Sequence, residues 1–147
     1  MLQYSMPNKV NVPEKISYMT ELQCSDCGTL FSAAEIHTYC PNCQSPLIVN
    51  YDLASAKQHV DRDEVHKRLK GMWRWHELLP VCEPQNMVTL GEGDTAILHL
   101  PRTGNDLGLS NLFVKDESSN PTGSFKARGL SAAVSKAREL GIKKVII

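Results

Sequence analysis

The sequence predicts an α/β protein in which a small four-cysteine ribbon is followed by the start of an open twisted sheet, cut short by the end of the chain. Two observations predict this fold. Two Cys-x-x-Cys pairs lie in the first third of the chain, and a polar loop, a helical repeat and a β-branched run follow one another in the last third. Strand, loop, helix and strand form the repeating unit of open α/β sheets, whose ligands gather at the loops that leave the carboxyl ends of strands.

The composition narrows the class of protein. The chain has 147 residues, of which 41% are hydrophobic and 22% are charged, which fits about one globular domain. Sixteen basic residues balance sixteen acidic ones, so the charge indicates neither nucleic acid nor a membrane surface as a partner. The apolar runs are too short to span a bilayer, and residues 1–9 lack the pattern of a secretory signal. We therefore expect a cytoplasmic protein.

Four cysteines have the spacing of a metal site. The two pairs are separated by twelve residues, and each pair can form a tight knuckle that directs two sulfur atoms at one point. We predict a structural zinc site, because four protein ligands leave no position for a substrate, with iron in the same cage as the alternative. A disulfide framework suits a secreted protein, and a redox motif needs only one pair. The predicted ligands are Cys24, Cys27, Cys40 and Cys43.

One residue beside the cysteine pairs supports this prediction, and the fifth cysteine lies outside it. Gly28 directly follows the first pair, where the knuckle needs a residue that tolerates a positive φ. Cys82, the fifth cysteine, stands apart from the others, and we expect a small buried residue there.

We divide the chain into three parts. Residues 1–51 contain a leading segment and the ribbon, residues 52–82 a helical connector, and residues 83–147 the incomplete start of the α/β domain. In the connector, Asp52 can cap a first helix, and Asp61 or Asp63 a second that ends at Gly71.

A segment rich in tryptophan closes the connector. Residues 72–80 hold both tryptophans and two leucines before a proline, and we interpret this apolar segment as a clamp that docks the ribbon onto the next domain. His76 within it is either an acid–base group or, as is more usual in an apolar segment, a structural residue.

The last part of the chain shows alternating strand and helix patterns. A strand at residues 96–100 and a returning strand at residues 111–117 should pair, with a turn or short loop at residues 101–108 between them. A helical pattern follows, with Ser124 as N-cap and Gly141 as the residue after its end.

The chain ends on an apolar β-branched run. Residues 143–147 are typical of the beginning of a buried parallel strand. Such a strand needs neighbours on both sides, and the preceding residues are too few to supply them. We therefore expect the sequence to be a fragment of a longer polypeptide.

One lysine lies where lysines are usually unfavourable. A turn at residues 120–123 leads into a helix and places Lys126 in its first turn, where backbone N–H groups and the positive end of the helix dipole converge. The residue is either a solvated surface lysine or an uncharged amine suited to imine chemistry. A phosphate cradle is a rival interpretation, although residues 122–126 lack the glycine spacing of a nucleotide-phosphate loop. Phe125 could contact a cofactor ring or belong to the core.

These motifs resemble a known family. Leu90-Gly91-Glu92-Gly93-Asp94-Thr95, the run from Lys115 to Lys126 that ends in Pro-Thr-Gly-Ser-Phe-Lys, and Arg128-Gly129 are similar to threonine synthases, which are pyridoxal-phosphate enzymes of fold type II. The resemblance extends to the clamp ending in Glu77-Leu78-Leu79-Pro80 and to a cysteine-knuckle N-terminus found in some members. It covers residues 20–147, with the Pro-Thr-Gly-Ser-Phe-Lys run as its specific part.

The resemblance implies a cofactor and a reaction. Lys126 would form a Schiff base with pyridoxal phosphate, and Phe125 would pack against the cofactor ring. Family members are carbon–oxygen lyases that convert the small molecule O-phosphohomoserine and water into threonine and phosphate. Residues 83–147 would then begin the catalytic domain, and a homodimer is compatible with the resemblance.

The sequence departs from the family at two positions and leaves alternatives open. Ala127 replaces a frequent aspartate, and Ala96 a usual proline. The family's phosphate loop, Ser-Gly-Asn segment and pyridine-nitrogen partner lie downstream of Ile147, so the fragment alone should be inactive. A cysteate synthase or threonine dehydratase type is the nearest alternative. A zinc-ribbon interaction module is an alternative from another class, and the lack of Lys and Arg in residues 20–51 argues against nucleic-acid binding.

Overall fold

A three-stranded antiparallel sheet forms the ribbon in the computed structural model, which describes residues 16–146. Leu22 on the central strand pairs with Phe31 on one side and with Val49 on the other, so these three side chains share one face. Leu30 and Ile48 lie on the opposite, exposed face. The strands, in the order β2-β1-β3, are β1 (Met19–Cys24), β2 (Leu30–Ser32) and β3 (Leu47–Tyr51).

Two short helices follow the ribbon, each capped by the aspartate before it. Asp52 accepts a hydrogen bond from the Ser55 amide at 2.9 Å and caps α1 (Leu53–His59). In the same way, the Asp61 carboxylate accepts a hydrogen bond from a backbone amide in the first turn of α2 (Arg62–Lys67) and caps this helix. The predicted caps are confirmed, although α2 ends at Lys67 rather than continuing to Gly71.

The tryptophan-rich segment forms a 3-10 helical turn at Met72–Leu78. Trp73 is buried, as expected for a docking segment, but Trp75 is 53% exposed, so only one of the two tryptophans is part of the core. This turn completes a buried cluster of apolar side chains. The cluster connects the first described residues with residues 72–87. It consists of Ile16, Met72, Trp73, Val81 and Met87.

Backbone hydrogen bonds attach the ribbon to this segment. The Ile16 amide donates to the Cys82 carbonyl, and the Tyr18 amide donates to the Glu77 carbonyl, both at 2.9 Å. The Ser17 hydroxyl donates to the Leu79 carbonyl between them at 2.6 Å. The segment that leads into β1 therefore runs along the clamp segment and the residues just after it. Residues 1–15 of the predicted leading segment lie outside the described residues.

A strand pair and a helix begin the predicted α/β domain. Strands β4 (Ile97–His99) and β5 (Phe113–Lys115) pair antiparallel, as expected, with Leu98 opposite Val114. The connection contains a helix, α3 (Pro101–Asp106), where the sequence predicted a turn or short loop. Proline suits the first turn of a helix because its missing N–H has no helical partner there.

The long helix α4 (Lys126–Glu139) follows the lysine turn. Its N-cap is Phe125, one residue later than the predicted Ser124, because the first amides bond three residues back in a tighter turn. Gly141, at φ 75°, follows the helix end as predicted. The Ile142 amide reaches back to the Ala137 carbonyl at 2.9 Å, which completes a Schellman motif.

The predicted final strand is not formed. Residues 142–146 have no regular secondary structure, and Ile147 lies outside the described residues. A parallel strand exists only when it bonds to neighbours, and the sheets within residues 16–146 have two and three antiparallel strands. The described part of the chain is thus mixed α/β without the extended open sheet. None of the helices in this part is long and apolar enough to cross a membrane.

An open groove separates the ribbon from α4. It has a volume of about 400 Å³ and lies between Leu22 and Val49 of the ribbon and Ala133, Ala137 and Leu140 of the helix. Because alanine side chains are short, this face of α4 projects little into the groove. The ribbon therefore lies beside the helix that begins at Lys126.

Candidate active site and metal centre

The four predicted cysteine ligands come together at one point of the ribbon. Their sulfur atoms all lie within 4.8 Å of one another. Two contacts join the two knuckles, with 3.4 Å between the sulfurs of Cys24 and Cys43 and 3.6 Å between those of Cys27 and Cys40. A tetrahedral ion with Zn–S bonds of about 2.3 Å would separate its sulfurs by about 3.8 Å, within the range seen here. The four cysteines could therefore hold a metal.

The backbone of each knuckle brings its two cysteines together in the same way. Gly28 follows the first pair with φ 72°, and Gln44 follows the second pair with φ 62°. Their amides donate to the carbonyls of Cys24 and Cys40, at 3.2 and 2.8 Å. The predicted positive φ of Gly28 is confirmed. The second knuckle has the same geometry without a glycine.

The pKa shifts of two cysteine thiols in the cluster are also compatible with a bound cation. Burial raises the pKa of the Cys40 thiol, whose side chain has no exposed surface. The Thr29 hydroxyl, 3.2 Å from the Cys27 sulfur, lowers the pKa of that thiol. Because metal ligands must be thiolates, a positive ion is the natural partner for the desolvated sulfur of Cys40.

Two other residues considered in the sequence lie outside this cluster. Cys82 is only half-buried, where the sequence predicted a buried residue, and its backbone amide donates to Glu139 at 2.8 Å. His76 lies with its ring nitrogens 3.3 Å from the Trp73 carbonyl and 3.4 Å from the Glu77 carboxylate. Burial lowers the pKa of His76. Its contacts fit the structural interpretation.

The lysine turn presents Lys126 as the first residue of α4. A tight turn precedes it, in which the Gly123 amide donates to the Asn120 carbonyl at 2.7 Å and Gly123 has φ 67°. The Ser124 hydroxyl accepts from the Lys126 amide at 3.3 Å. Lys126 is exposed, and its amine forms no salt bridge within residues 16–146. An amine in this state is accessible to a carbonyl compound.

Phe125 is 64% exposed beside Lys126, so it does not belong to the core of the described residues. The two predicted cofactor-binding residues, which are consecutive in sequence, are thus both exposed. An exposed aromatic ring beside an exposed amine suits a flat ligand that carries an aldehyde.

A polar network that the sequence did not single out lies behind the lysine turn. Glu117 receives two hydrogen bonds from Arg128, at 2.7 and 2.8 Å. Its carboxylate also accepts from the Thr95 hydroxyl, and from the Asn120 amide group at 2.8 Å. The Arg128 guanidinium, together with the Thr95 hydroxyl, holds the pKa of Glu117 well below its usual range. The four residues lie within the motifs quoted above, but no periodic pattern connects them.

The Gly-Glu-Gly loop packs against the same network. The Gly93 amide donates to the Asn120 side-chain oxygen at 3.0 Å. Glu92 is 2% exposed and accepts from the Leu90 amide and the Thr89 hydroxyl. Burial would raise the pKa of Glu92, but hydrogen bonds, above all from Ser131, outweigh it and the pKa is lowered. The loop is therefore held by buried polar contacts.

Replacing Gly93 by alanine should destabilise this loop strongly. Gly93 has φ 102°, and a β-carbon there would lie 2.5 Å from the Met72 amide nitrogen and 2.9 Å from the Gly71 carbonyl carbon. We expect the free energy of unfolding to fall by at least about 2 kcal/mol, from a strained backbone and a clash with neighbouring backbone. Urea unfolding measures the change. Gly91→Ala is the matched control, because φ is 92° there but nothing lies within 4 Å of the added carbon, so an equal loss in both variants would contradict the steric argument.

Comparison with known proteins gives two kinds of match. The sequence profile of the family described as "Pyridoxal-phosphate dependent enzyme" matches residues 88–147, which include the Gly-Glu-Gly loop and the lysine turn. Over a longer stretch, the chain is 38% identical to a threonine synthase of Methanocaldococcus jannaschii, across 84% of this chain and 30% of that protein. It is also 38% identical to a threonine synthase of Methanosarcina acetivorans, across 86% of this chain and 30% of that protein.

A differently named enzyme matches a shorter stretch. The 2-amino-4-ketopentanoate thiolase beta subunit of Acetoanaerobium sticklandii is 42% identical over 67 residues, which is 46% of this chain and 12% of that protein. The chain spans about 30% of the length of the two threonine synthases. The resemblance to threonine synthases that the sequence predicted is therefore confirmed.

Proposed function

Because this chain is similar to threonine synthases over most of its length and carries part of a pyridoxal-phosphate dependent enzyme domain, we propose that the full-length protein is a threonine synthase. In this proposal it converts O-phosphohomoserine and water into threonine and phosphate, and it uses pyridoxal phosphate held by Lys126. A related enzyme of the cysteate synthase or threonine dehydratase type is the alternative. The match to a differently named enzyme, the thiolase subunit, supports considering other substrates within this class.

The observation that carries the proposal is the exposed Lys126 at the first residue of α4, next to the exposed ring of Phe125. The resting enzyme needs an amine that a cofactor aldehyde can reach, and a fixed turn that brings it there. The turn at Asn120–Gly123 and the helix start supply the second requirement. Residues for the cofactor phosphate would come from outside this chain.

The residues of this chain would act in binding and in proton transfer. Pyridoxal phosphate supplies an electron sink for negative charge that develops at the substrate carbons. Lys126 would hold the cofactor through Nζ and, once released, would take protons from the α and β carbons of the substrate. Phe125 would lie against the cofactor ring. In the overall reaction the γ carbon–oxygen bond breaks and phosphate leaves with the bonding electrons. The β carbon loses a proton and gains the hydroxyl of water, the γ carbon gains a proton, and the proton taken from the α carbon is returned to it. The other proton of water goes to the released phosphate.

The remaining parts of the proposal concern architecture. We assign zinc to the four cysteines as a structural ion, since they would fill all four coordination positions. The three-part division at residues 51 and 82, and a fold-type II catalytic domain that begins within residues 83–147, belong to the same proposal. The cytoplasmic location and the homodimer stay predictions.

The substrate can be tested with the purified full-length protein supplied with pyridoxal phosphate. We expect phosphate and threonine to form in equal amounts from O-phosphohomoserine. Two alternative substrates are tested separately: O-phosphoserine as a phosphorylated amino acid and threonine as a hydroxylated one. Turnover of one of these without turnover of O-phosphohomoserine would assign the protein to a relative, and no turnover together with no bound cofactor would contradict the enzyme class.

A further inference from the structure

We propose that Arg128 and Glu117 are positioning residues for Lys126, which fix the lysine turn in the geometry that proton transfer requires. The inference rests on the proposed function of Lys126. It assigns a role to an ion pair that makes no contact with the lysine amine, since both residues act through the backbone of the turn and of α4.

The first step is the direction of the two side chains on the helix. Lys126 and Arg128 are two residues apart in the first turn of α4, so they leave the helix about 200° apart and point to nearly opposite sides. Arg128 forms a bidentate pair with Glu117, and its side chain is 32% exposed against 24% for Glu117. A planar bidentate pair fixes orientation as well as distance. The first turn of the helix is therefore anchored on the face that turns away from Lys126.

The second step is the connection from Glu117 to the chain before the lysine. Glu117 accepts from the side chain of Asn120, which is 5% exposed and whose own oxygen accepts from the Gly93 amide at 3.0 Å. Asn120 also begins the turn that leads to Lys126. One carboxylate thus links both ends of the lysine turn, through Asn120 on one side and Arg128 on the other.

The third step is that packing provides little support for the turn itself. Pro121, Thr122 and Gly123 are exposed, and a β-carbon built at Gly123 would meet nothing within 4 Å. Within residues 16–146 the turn depends on its hydrogen bonds and on the network at its two ends. A displacement of about 1 Å can lower a rate by about 100-fold when it moves a group that transfers protons. Loosening the network should therefore reduce proton transfer more than substrate binding.

Three variants of the full-length protein test the role of Arg128. Arg128→Met removes the pair, Arg128→Lys keeps one charge without the bidentate geometry, and Arg138→Met removes an exposed arginine from the other end of α4 as the matched control. For Arg128→Met we expect kcat to fall about 10- to 100-fold with little change in KM. Amide hydrogen exchange at residues 122–127 should become at least about tenfold faster than in the wild type, while residues 132–139 change little. Arg128→Lys should lie between, and Arg138→Met should match the wild type.

The outcomes separate positioning from a general effect on stability. A uniform increase of exchange along α4, or an unchanged kcat in the folded Arg128→Met protein, would overturn the proposal. If Arg128→Met does not fold, Glu117→Gln takes its place, with Glu64→Gln as the control for an exposed pair. Hydrogen exchange needs no cofactor, so it can be measured even if the full-length protein has no synthase activity. In that case the proposed function would be wrong, but faster local exchange in Arg128→Met would still show that the ion pair fixes the lysine turn.

Discussion

Replacing Lys126 by alanine is expected to lower kcat of the full-length protein by at least about 10³-fold and to abolish its covalent bond to pyridoxal phosphate. The amine has two tasks in the proposed reaction, since it holds the cofactor and moves protons at the substrate carbons, and proton transfer alone contributes about 10² to 10⁴. Lys126 is exposed at the helix start, so its removal should leave the fold intact. Steady-state kinetics and the absorbance of the Schiff base, measured on the same samples, check both effects.

The control for this prediction is the neighbouring Lys115. Its amine donates to the Thr95 carbonyl and so is engaged with the backbone of the network. Lys115→Ala should reduce stability but keep the covalent bond to the cofactor. If the bond is lost in Lys115→Ala and kept in Lys126→Ala, the assignment of the catalytic lysine is wrong.

Removing the metal that we propose for the four cysteines should unfold the ribbon. Within residues 19–51 the buried residues are Met19, Ala33, Cys24 and Cys40, so two of the four are proposed ligands and little apolar core remains without the ion. We expect Cys40→Ser, or treatment with a chelator, to release the ion and to cost the ribbon several kcal/mol, since structural zinc contributes about 10–16 kcal/mol in isolated zinc-finger peptides. Metal analysis for zinc and iron, with amide exchange of β1 to β3, measures both changes.

Cys82→Ser is the matched control for the metal site, because this cysteine lies outside the cluster. It should keep a full complement of metal and an intact ribbon. A Cys40→Ser protein that retains the ion and the slow exchange of the three strands would contradict the four-cysteine site.

The cluster of four cysteines was predictable because its signal is local. Each Cys-x-x-Cys pair forms its own knuckle, and the residue that follows it adopts a positive φ at both Gly28 and Gln44. The helix caps at Asp52 and Asp61 are local as well, since each carboxylate bonds amides two or three residues ahead. Interactions of this range leave a mark in the sequence spacing.

Helix α3 shows where local signals fail. Thr103, Gly104 and Asn105 are poor helix formers, so the pattern predicted a turn or loop. Gly104 is buried, and the Leu109 carbonyl occupies the space that a side chain at this position would need. The Leu109 amide also donates to the Gly104 carbonyl at 2.7 Å. Close backbone approach selects the glycine here, and propensity does not record such tertiary contacts.

The network behind the lysine turn was missed for a similar reason. Glu117 and Arg128 are eleven residues apart in sequence, and Thr95 is a further twenty-two residues before Glu117. The sequence indicated the lysine, whose position at a helix start is a local feature, but not the groups that hold it. Polar contacts between a loop, a strand end and a helix follow no period, so only the fold reveals them.

The most direct test of the central claim is to reduce the full-length protein with borohydride in the presence of pyridoxal phosphate and to map the modified peptide by mass spectrometry. Reduction makes the bond between an amine and the cofactor permanent. The account predicts one pyridoxyl group per chain, on Lys126 in the peptide that contains Phe125. A pyridoxyl group found mainly on another lysine, or a protein that carries none after reduction, would contradict it.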